Sequence, residues 1–370
     1  MSWDHEKFVK YVREHAPLAE RGSLIRAASK PYDAKYPKLF LTYYSMPDWL
    51  DVFSSTAAHD RGLAHPHVEF QNRLGKTPFY RMIAEYKHAM KKYHDKVSDA
   101  LDWIAFFPSG RALLKEIGST KYSVRVMPYW HFFITMPGLN YDNSMTKPTL
   151  ARDQLSEVSL GTYPNLEDSS ERNSPLRDDD NKPTGEIGTG KGTNVVIFFS
   201  AETWQGPDAP QGPGKQDDEV LFHELAHATR MLRGRQTHLP IQGRGGYGNI
   251  EEYFATVITN IYLSDKGETA LRGLYGNDEI HQKVSRLYFT KDEEVGIITT
   301  DPLPKGWDVM RDPEHFYQNV DKLNVTPRQL MEIFSKTQQT FYRDLATLPD
   351  MRPTFNPARL HFRENQRPDV

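Results

Sequence analysis

Two histidines four residues apart are the side chains of this sequence best suited to chemistry. His223 and His227 enclose Glu224 in the run His-Glu-Leu-Ala-His. Residues four apart in an α-helix lie one turn apart on the same face, so both imidazoles can bind one ion. Glu224, beside the first histidine, can accept a proton from a metal-bound water. The spacing therefore predicts two zinc ligands and a general base.

The residues around this motif predict the helix that must position it. Three acidic residues, Asp217, Asp218 and Glu219, suit a helix N-terminus, and apolar residues recur behind the histidines. Arg233 and Gly234 are typical of a helix end. We predict a helix over about 217–233. The alternative is an ordinary amphipathic helix whose histidines are solvated or hydrogen-bonded.

A catalytic zinc site needs a third protein ligand and an open position for water. A second helix is predicted from about residue 248 to 263, with Glu251 and Glu252 near its start. Thr256, one turn after Glu252, can hydrogen-bond a ligand, which favours Glu252. Glu251 stays the alternative, because glutamates in a first turn also stabilise the helix dipole.

The arrangement resembles the gluzincin metallopeptidases, in which a second helix donates a glutamate ligand. The run Glu-Tyr-Phe-Ala at 252–255 is similar to the catalytic site of anthrax lethal factor and related bacterial toxins. This resemblance implies Glu252 as the third ligand and a tyrosine that stabilises the oxyanion, for which Tyr247 is the candidate. Packing within a glycine-rich loop is the other role open to Tyr247. Arg230 and Arg233 stand where metzincins have glycine and histidine, so that class is excluded.

The order of the upstream motifs is similar to that of the NleD-like injected bacterial effector metallopeptidases. Residues 109–114 (Ser-Gly-Arg-Ala-Leu-Leu) open a short helix, and strands are predicted at 121–128 and 194–200, before the histidine helix. The resemblance covers about 107–263. It implies a Zn²⁺-dependent endopeptidase that acts as a secreted or injected effector or toxin on a protein or peptide substrate. A secretion machinery and an immunity or inhibitor protein are further candidate partners.

The predicted fold class is α+β and mostly helical, with a zincin-like core of a small sheet, the metal-binding helix and the ligand helix. Residues 1–106 form a helical N-terminal region that includes one long amphipathic helix over 78–106. The core spans 107–265 with a flexible insertion at about 161–192, a surface loop or a lid. The strand at 194–200 is the candidate sheet edge for an extended substrate. Residues 266–370 comprise an irregular segment, a helical C-terminal region and an extended tail.

Composition excludes several other kinds of protein. The 370 residues contain no cysteine, so neither a disulfide nor a thiolate zinc site can form. A net charge of -3 and a pI near 6.5 give no broad attraction for nucleic acid. The charged N-terminus has no apolar core, so we expect cytoplasmic synthesis without a signal peptide, export by a specialised route and no membrane span.

Two other functions are compatible with the motif. One is a zinc amide hydrolase that acts on cell-wall peptides. The other is a non-catalytic helical binding protein with a structural zinc site. Glu224 argues against the binding protein, because a structural zinc site needs no general base.

Overall fold

The computed structural model describes residues 10, 12–14, 16, 18–46, 49, 79–128, 161–164, 174–177, 183–188, 190, 192–199, 201–204, 214–237, 249–268, 270–272, 279–281, 327–349 and 353–366. The chain divides into two compact units. The first comprises Met1–Asp99, Arg125–Gly161 and Val196–Glu202. The second comprises Ala100–Val124, Thr162–Val195 and Thr203–Val370.

The described residues are mostly helical with a small mixed sheet, as the α+β prediction requires. The helices are α1 (Leu18–Ile25), α2 (Phe79–Phe106), α3 (Pro108–Gly118), α4 (Asp217–Leu232), α5 (Ile250–Lys266), α6 (Pro327–Thr337), α7 (Gln339–Ala346) and α8 (Pro357–Asn365). The strands are β1 (Ala28–Pro31), β2 (Leu39–Tyr43), β3 (Val124–Met127), β4 (Gly161–Pro164), β5 (Ser174–Arg177), β6 (Pro183–Ile187), β7 (Val195–Phe198), β8 (Ala270–Arg272) and β9 (Glu279–His281). The predicted helices at 78–106 and 217–233 and the strands at 121–128 and 194–200 are confirmed. Among the described residues, no helix has the length and apolar character that crossing a membrane requires.

Aromatic side chains form the core of the first unit. Tyr43, Tyr44, Trp49 and Tyr86 are buried in one cluster. Tyr86 Oη donates a hydrogen bond to the Tyr44 carbonyl at 2.6 Å, and Tyr44 Oη donates to the carbonyl of Pro128 at 2.8 Å. Burying tyrosine is favourable when its hydroxyl has a partner, so these bonds allow the rings to serve as core residues.

One sheet has the strand order β1-β2-β3-β7-β4, and β1 pairs with β2 in antiparallel register. All four residues of β7 are buried, as its continuous apolar run predicts. Because β7 has a strand on each side, the prediction that 194–200 is a sheet edge is wrong. The sequence showed a buried strand but did not show that β4, from the polar stretch 161–192, pairs with it.

The segment predicted as a flexible insertion at 161–192 contains regular structure. It holds β4 and also β5 and β6, which pair as an antiparallel hairpin. Near the end of this segment, the backbone of Gly192 has a φ of +77°. A Cβ atom on Gly192 would lie 2.0 Å from the carbonyl oxygen of Leu232. Only glycine can therefore bring the chain this close to the end of α4.

Helices α4 and α5 form the centre of the second unit. All residues of α4 from Asp218 to Leu232 are buried, and so are those of α5 from Ile250 to Asp265. The Phe222 and Tyr262 rings stack with centroids 4.2 Å apart and join the two helices. Both helices carry many polar side chains into this interior, and buried polar groups require partners.

The prediction of an extended tail is wrong for Pro357–Asn365, which form the helix α8. The Asn356 side chain accepts a hydrogen bond from the backbone N–H of Arg359 at 3.0 Å. Proline follows at the first helical position, where it has no intrahelical hydrogen bond to lose. The asparagine and proline of this tail therefore begin a helix.

Candidate metal centre

The side chains of His223, His227 and Glu252 converge between α4 and α5. The two Nε2 atoms are 3.2 Å apart. The Glu252 carboxylate lies 3.5 Å from His223 Nε2 and 3.6 Å from His227 Nε2. All three side chains are buried. Three potential metal donors therefore face one point in the interior of the second unit.

The donor spacing fits a tetrahedral zinc ion. Zinc–nitrogen and zinc–oxygen bonds of about 2.0–2.1 Å, at tetrahedral angles, place neighbouring donors about 3.3–3.4 Å apart. The two Nε2 atoms are 3.2 Å apart and His223 Nε2 lies 3.5 Å from Glu252 Oε2, both near that value, whereas the 3.6 Å distance from His227 Nε2 is to the other oxygen, Oε1. One donor atom from each side chain lies within 4.8 Å of the others. Two histidines and a carboxylate are also a donor set typical of catalytic zinc, which keeps its fourth position for water.

The local sequence explains how Glu252 reaches this point. Asn249 precedes α5, and its side-chain oxygen accepts a hydrogen bond from the backbone N–H of Glu252 at 2.9 Å. This cap fixes the first turn of α5 and hence the face on which each glutamate lies. Glu252 joins the donor group and Glu251 does not, which is consistent with the prediction of Glu252 as third ligand.

Glu251 points instead to the outer side of His227. Its Oε1 lies 3.6 Å from His227 Nδ1, and its Oε2 accepts hydrogen bonds from Arg230 Nε at 2.7 Å and from the backbone N–H of Thr237 at 3.0 Å. Arg230, which excluded the metzincin pattern, is thus a buried cation beside the donor group.

His223 has a neutral neighbour on its outer side. Its Nδ1 lies 3.3 Å from the hydroxyl oxygen of Thr259, and that hydroxyl donates its proton to the Ala255 carbonyl at 2.7 Å. The oxygen therefore accepts from Nδ1–H, which leaves Nε2 with a free lone pair for a metal. The sequence predicted Thr256, not Thr259, as the hydroxyl that hydrogen-bonds a metal ligand.

Electrostatics favour positive charge among these donors. Burial lowers the pKa of His223 to about 3, helped by the charge of Arg272. Burial also disfavours the charged form of His227, but the carboxylates of Glu252, Glu251 and Glu224 together outweigh it and raise the His227 pKa to about 9. Burial also opposes the charge of Glu252, but the two histidines, with Arg272, lower the Glu252 pKa to about 2. The carboxylate thus stays ionised and attracts a cation.

Two further residues were predicted for this site, Glu224 and Tyr247. Glu224 is buried on α4, and its charge contributes to the raised pKa of His227. Tyr247, the candidate oxyanion donor, lies outside the described residues. No geometry can be assigned to it, and its role stays a prediction.

The sequence comparisons bear on this donor group. Residues 82–256 match the model of the family Peptidase_M91, described as an effector protein. These residues, a little under half of the chain, are similar to the Peptidase_M91 family. The match includes the histidine motif and Glu252, and it confirms the resemblance to effector metallopeptidases. This similarity supports a protease that acts as an effector. No curated protein and no solved structure matches the chain.

Proposed function

We propose that this protein is a zinc endopeptidase with a zincin-like catalytic core. His223, His227 and Glu252 are the metal ligands. The observation that carries the proposal is the convergence of two buried histidine nitrogens, 3.2 Å apart, with a buried carboxylate whose oxygens lie 3.5 Å and 3.6 Å from them, a donor set that suits zinc. The Peptidase_M91 match supports the peptidase class, and its effector description supports an injected or exported protein with a protein or peptide substrate.

Zinc bound at these donors would lower the pKa of a coordinated water toward neutrality and polarise the scissile carbonyl. The Glu224 carboxylate would accept a proton from the attacking water and return it to the leaving amine. Tyr247 is the proposed hydrogen-bond donor to the oxyanion. The hydroxyl of Thr259 keeps His223 in the tautomer that coordinates through Nε2.

The donor types favour a catalytic over a structural zinc site. Structural zinc is typically held by cysteine thiolates, alone or with histidines, whereas two histidines and a glutamate are a donor set of catalytic zinc. The group found among the described residues is of the second kind, and the sequence contains no cysteine. Amide hydrolysis of cell-wall peptides would use the same chemistry, so substrate identity must come from cleavage experiments.

The test is a comparison of the wild-type protein with Glu224→Gln. Zinc content is measured by elemental analysis, and cleavage by mapping new peptide termini in whole-cell lysates with and without a chelator. We expect one zinc per chain in both proteins, and chelator-sensitive cleavage by the wild type alone. Glu85→Gln, on the exposed face of α2, is the matched control and should cleave normally. Full cleavage by pure, zinc-loaded Glu224→Gln protein would refute the role of Glu224.

A wild-type protein that binds zinc but cleaves neither lysate proteins nor cell-wall peptides would contradict both hydrolase assignments. It would favour the structural zinc site instead. Cleavage confined to cell-wall peptides would replace the endopeptidase assignment by the amide hydrolase. Export by a specialised secretion system, and an inhibitor or immunity partner, belong to the same proposal as consequences of the effector class.

A further inference from the structure

The Glu251 carboxylate is buried beside the donor group but is not one of its members. Its side chain is 1% exposed. One oxygen is held by Arg230 Nε at 2.7 Å and by the Thr237 backbone N–H at 3.0 Å. The other lies 3.6 Å from His227 Nδ1. Transfer of a carboxylate from water to a protein interior is unfavourable, so its retention beside a ligand histidine calls for a physical reason.

Arg230 neutralises this carboxylate and is itself fixed on several sides. Its side chain is 1% exposed. The guanidinium lies 4.1 Å from the centre of the Phe254 ring, donates to the Arg235 carbonyl at 2.5 Å and lies 3.4 Å from the side-chain oxygen of Gln338. Gln338 stands between α6 and α7 and also donates to the hydroxyl of Thr229 at 3.1 Å. The planar fork of arginine suits such simultaneous contacts.

We propose that Glu251 is a positioning residue for His227, and that Arg230 holds the Glu251 carboxylate in place for this task. The inference rests on the proposed metal centre. A carboxylate facing Nδ1 favours the tautomer with the proton on that atom and increases the basicity of Nε2 toward a metal. His223, whose outer neighbour is the neutral Thr259, receives orientation without charge. The two ligand histidines are therefore supported unequally, and His227 is the stronger donor.

The first experiment measures zinc affinity by competition with a chromophoric chelator. Glu251→Gln keeps the shape of the side chain but removes its charge. We expect zinc affinity to fall by about 10-fold to 100-fold, the usual effect of losing an outer-shell carboxylate. The visible spectrum of the cobalt-substituted protein should change as well, because the electronic character of the His227 ligand changes.

A second variant separates positioning from folding. Arg230→Met alone would leave Glu251 as an uncompensated buried charge and destabilise the fold. The double variant R230M/E251Q removes both charges, and we expect it to fold and to bind zinc as weakly as Glu251→Gln. Glu116→Gln is the matched control, because Glu116 is equally buried and pairs at 2.9 Å with another arginine, Arg233, which directly follows α4. It should lower stability and leave zinc affinity unchanged.

The outcomes are distinguishable. Wild-type zinc affinity in folded Glu251→Gln and in the double variant would show that Glu251 is only the structural partner of Arg230, and would overturn this inference. The proposed function would survive that result. A wild-type protein that binds no zinc would overturn the proposed function, and this inference with it.

Discussion

Lys266, at the end of α5, provides a sharp test of how buried charge stabilises the second unit. Its ammonium group lies 2.8 Å from Asp218 and 2.7 Å from Glu219, both in the first turn of α4. The three side chains are 10%, 5% and 1% exposed. Asp218 also accepts a hydrogen bond from Tyr262 Oη at 2.6 Å. These contacts connect the first turn of α4 to the C-terminal end of α5.

Lys266→Met removes the cation and leaves two carboxylates in the interior. Breaking a buried ion pair from one side typically costs about 3–5 kcal/mol, because the remaining charge is uncompensated. At about 2–4 °C per kcal/mol, the thermal midpoint should fall by about 6–20 °C. The control is Lys115→Met. Lys115 also lies 2.7 Å from a carboxylate, that of Asp344, but its side chain is 63% exposed, so this change should cost less than about 1 kcal/mol.

The stability lost in the Lys266→Met variant should also depend on pH. Burial raises the pKa of Glu219 above its usual 4.5, although Lys266 acts in the opposite direction. Removing Lys266 raises this pKa further. An acid whose pKa is higher in the folded state gains stability as pH falls through that pKa, so the deficit of the variant should narrow between pH 7 and pH 5. The assay is urea unfolding of both variants at the two pH values. Equal losses for Lys266→Met and Lys115→Met would refute the reasoning that burial decides the effect.

Two further predictions concern other parts of the molecule. Gly192→Ala should destabilise the fold by about 2–5 kcal/mol in urea unfolding, because it combines a positive φ with a clash against the Leu232 carbonyl. Gly22→Ala, where a Cβ meets no atom within 4 Å, should instead stabilise α1 by about 0.5–1 kcal/mol; similar losses at both positions would contradict this account. Burial, with the nearby charge of Lys30, lowers the pKa of His94 to about 4 from 6.5. Wild-type stability should therefore decline by up to about 2 kcal/mol from pH 6.5 to 4, as the unfolded chain takes up the proton first, and His94→Leu should flatten this profile. An unchanged profile would show that His94 is not responsible.

Much of the metal centre could be predicted from the sequence because its geometry is local. The spacing of His223 and His227 on one helix face follows from the helical repeat alone. The prediction of Glu252 depended on resemblance and on Thr256 one turn later, since two adjacent glutamates differ only in the direction set by the helix start. Asn249 carried that information, because an asparagine before an apolar helix is a typical cap.

The supporting contacts could not be predicted, because they depend on tertiary packing. Nothing in the sequence near Arg230 indicates that its partners are Glu251 and Gln338. Thr259 was overlooked because its hydroxyl faces a histidine of another helix. The same limit applies to the fold. A buried run predicts β7, but its neighbours in the sheet depend on contacts distant in sequence.

The contacts of the α6–α7 region with α4 and α5 determine when, during synthesis, the donor group acquires its buried surroundings. Gln338 reaches Arg230 across 108 residues, and the Phe334 and Phe254 rings pack with centroids 5.8 Å apart. The ribosome releases the histidine helix well before it makes these partners. The nascent chain therefore carries its metal donors before their buried support exists. We expect a fragment that ends with the family match, at residue 256, to expose apolar surface and aggregate. An expression product must extend through α7 to assemble the centre.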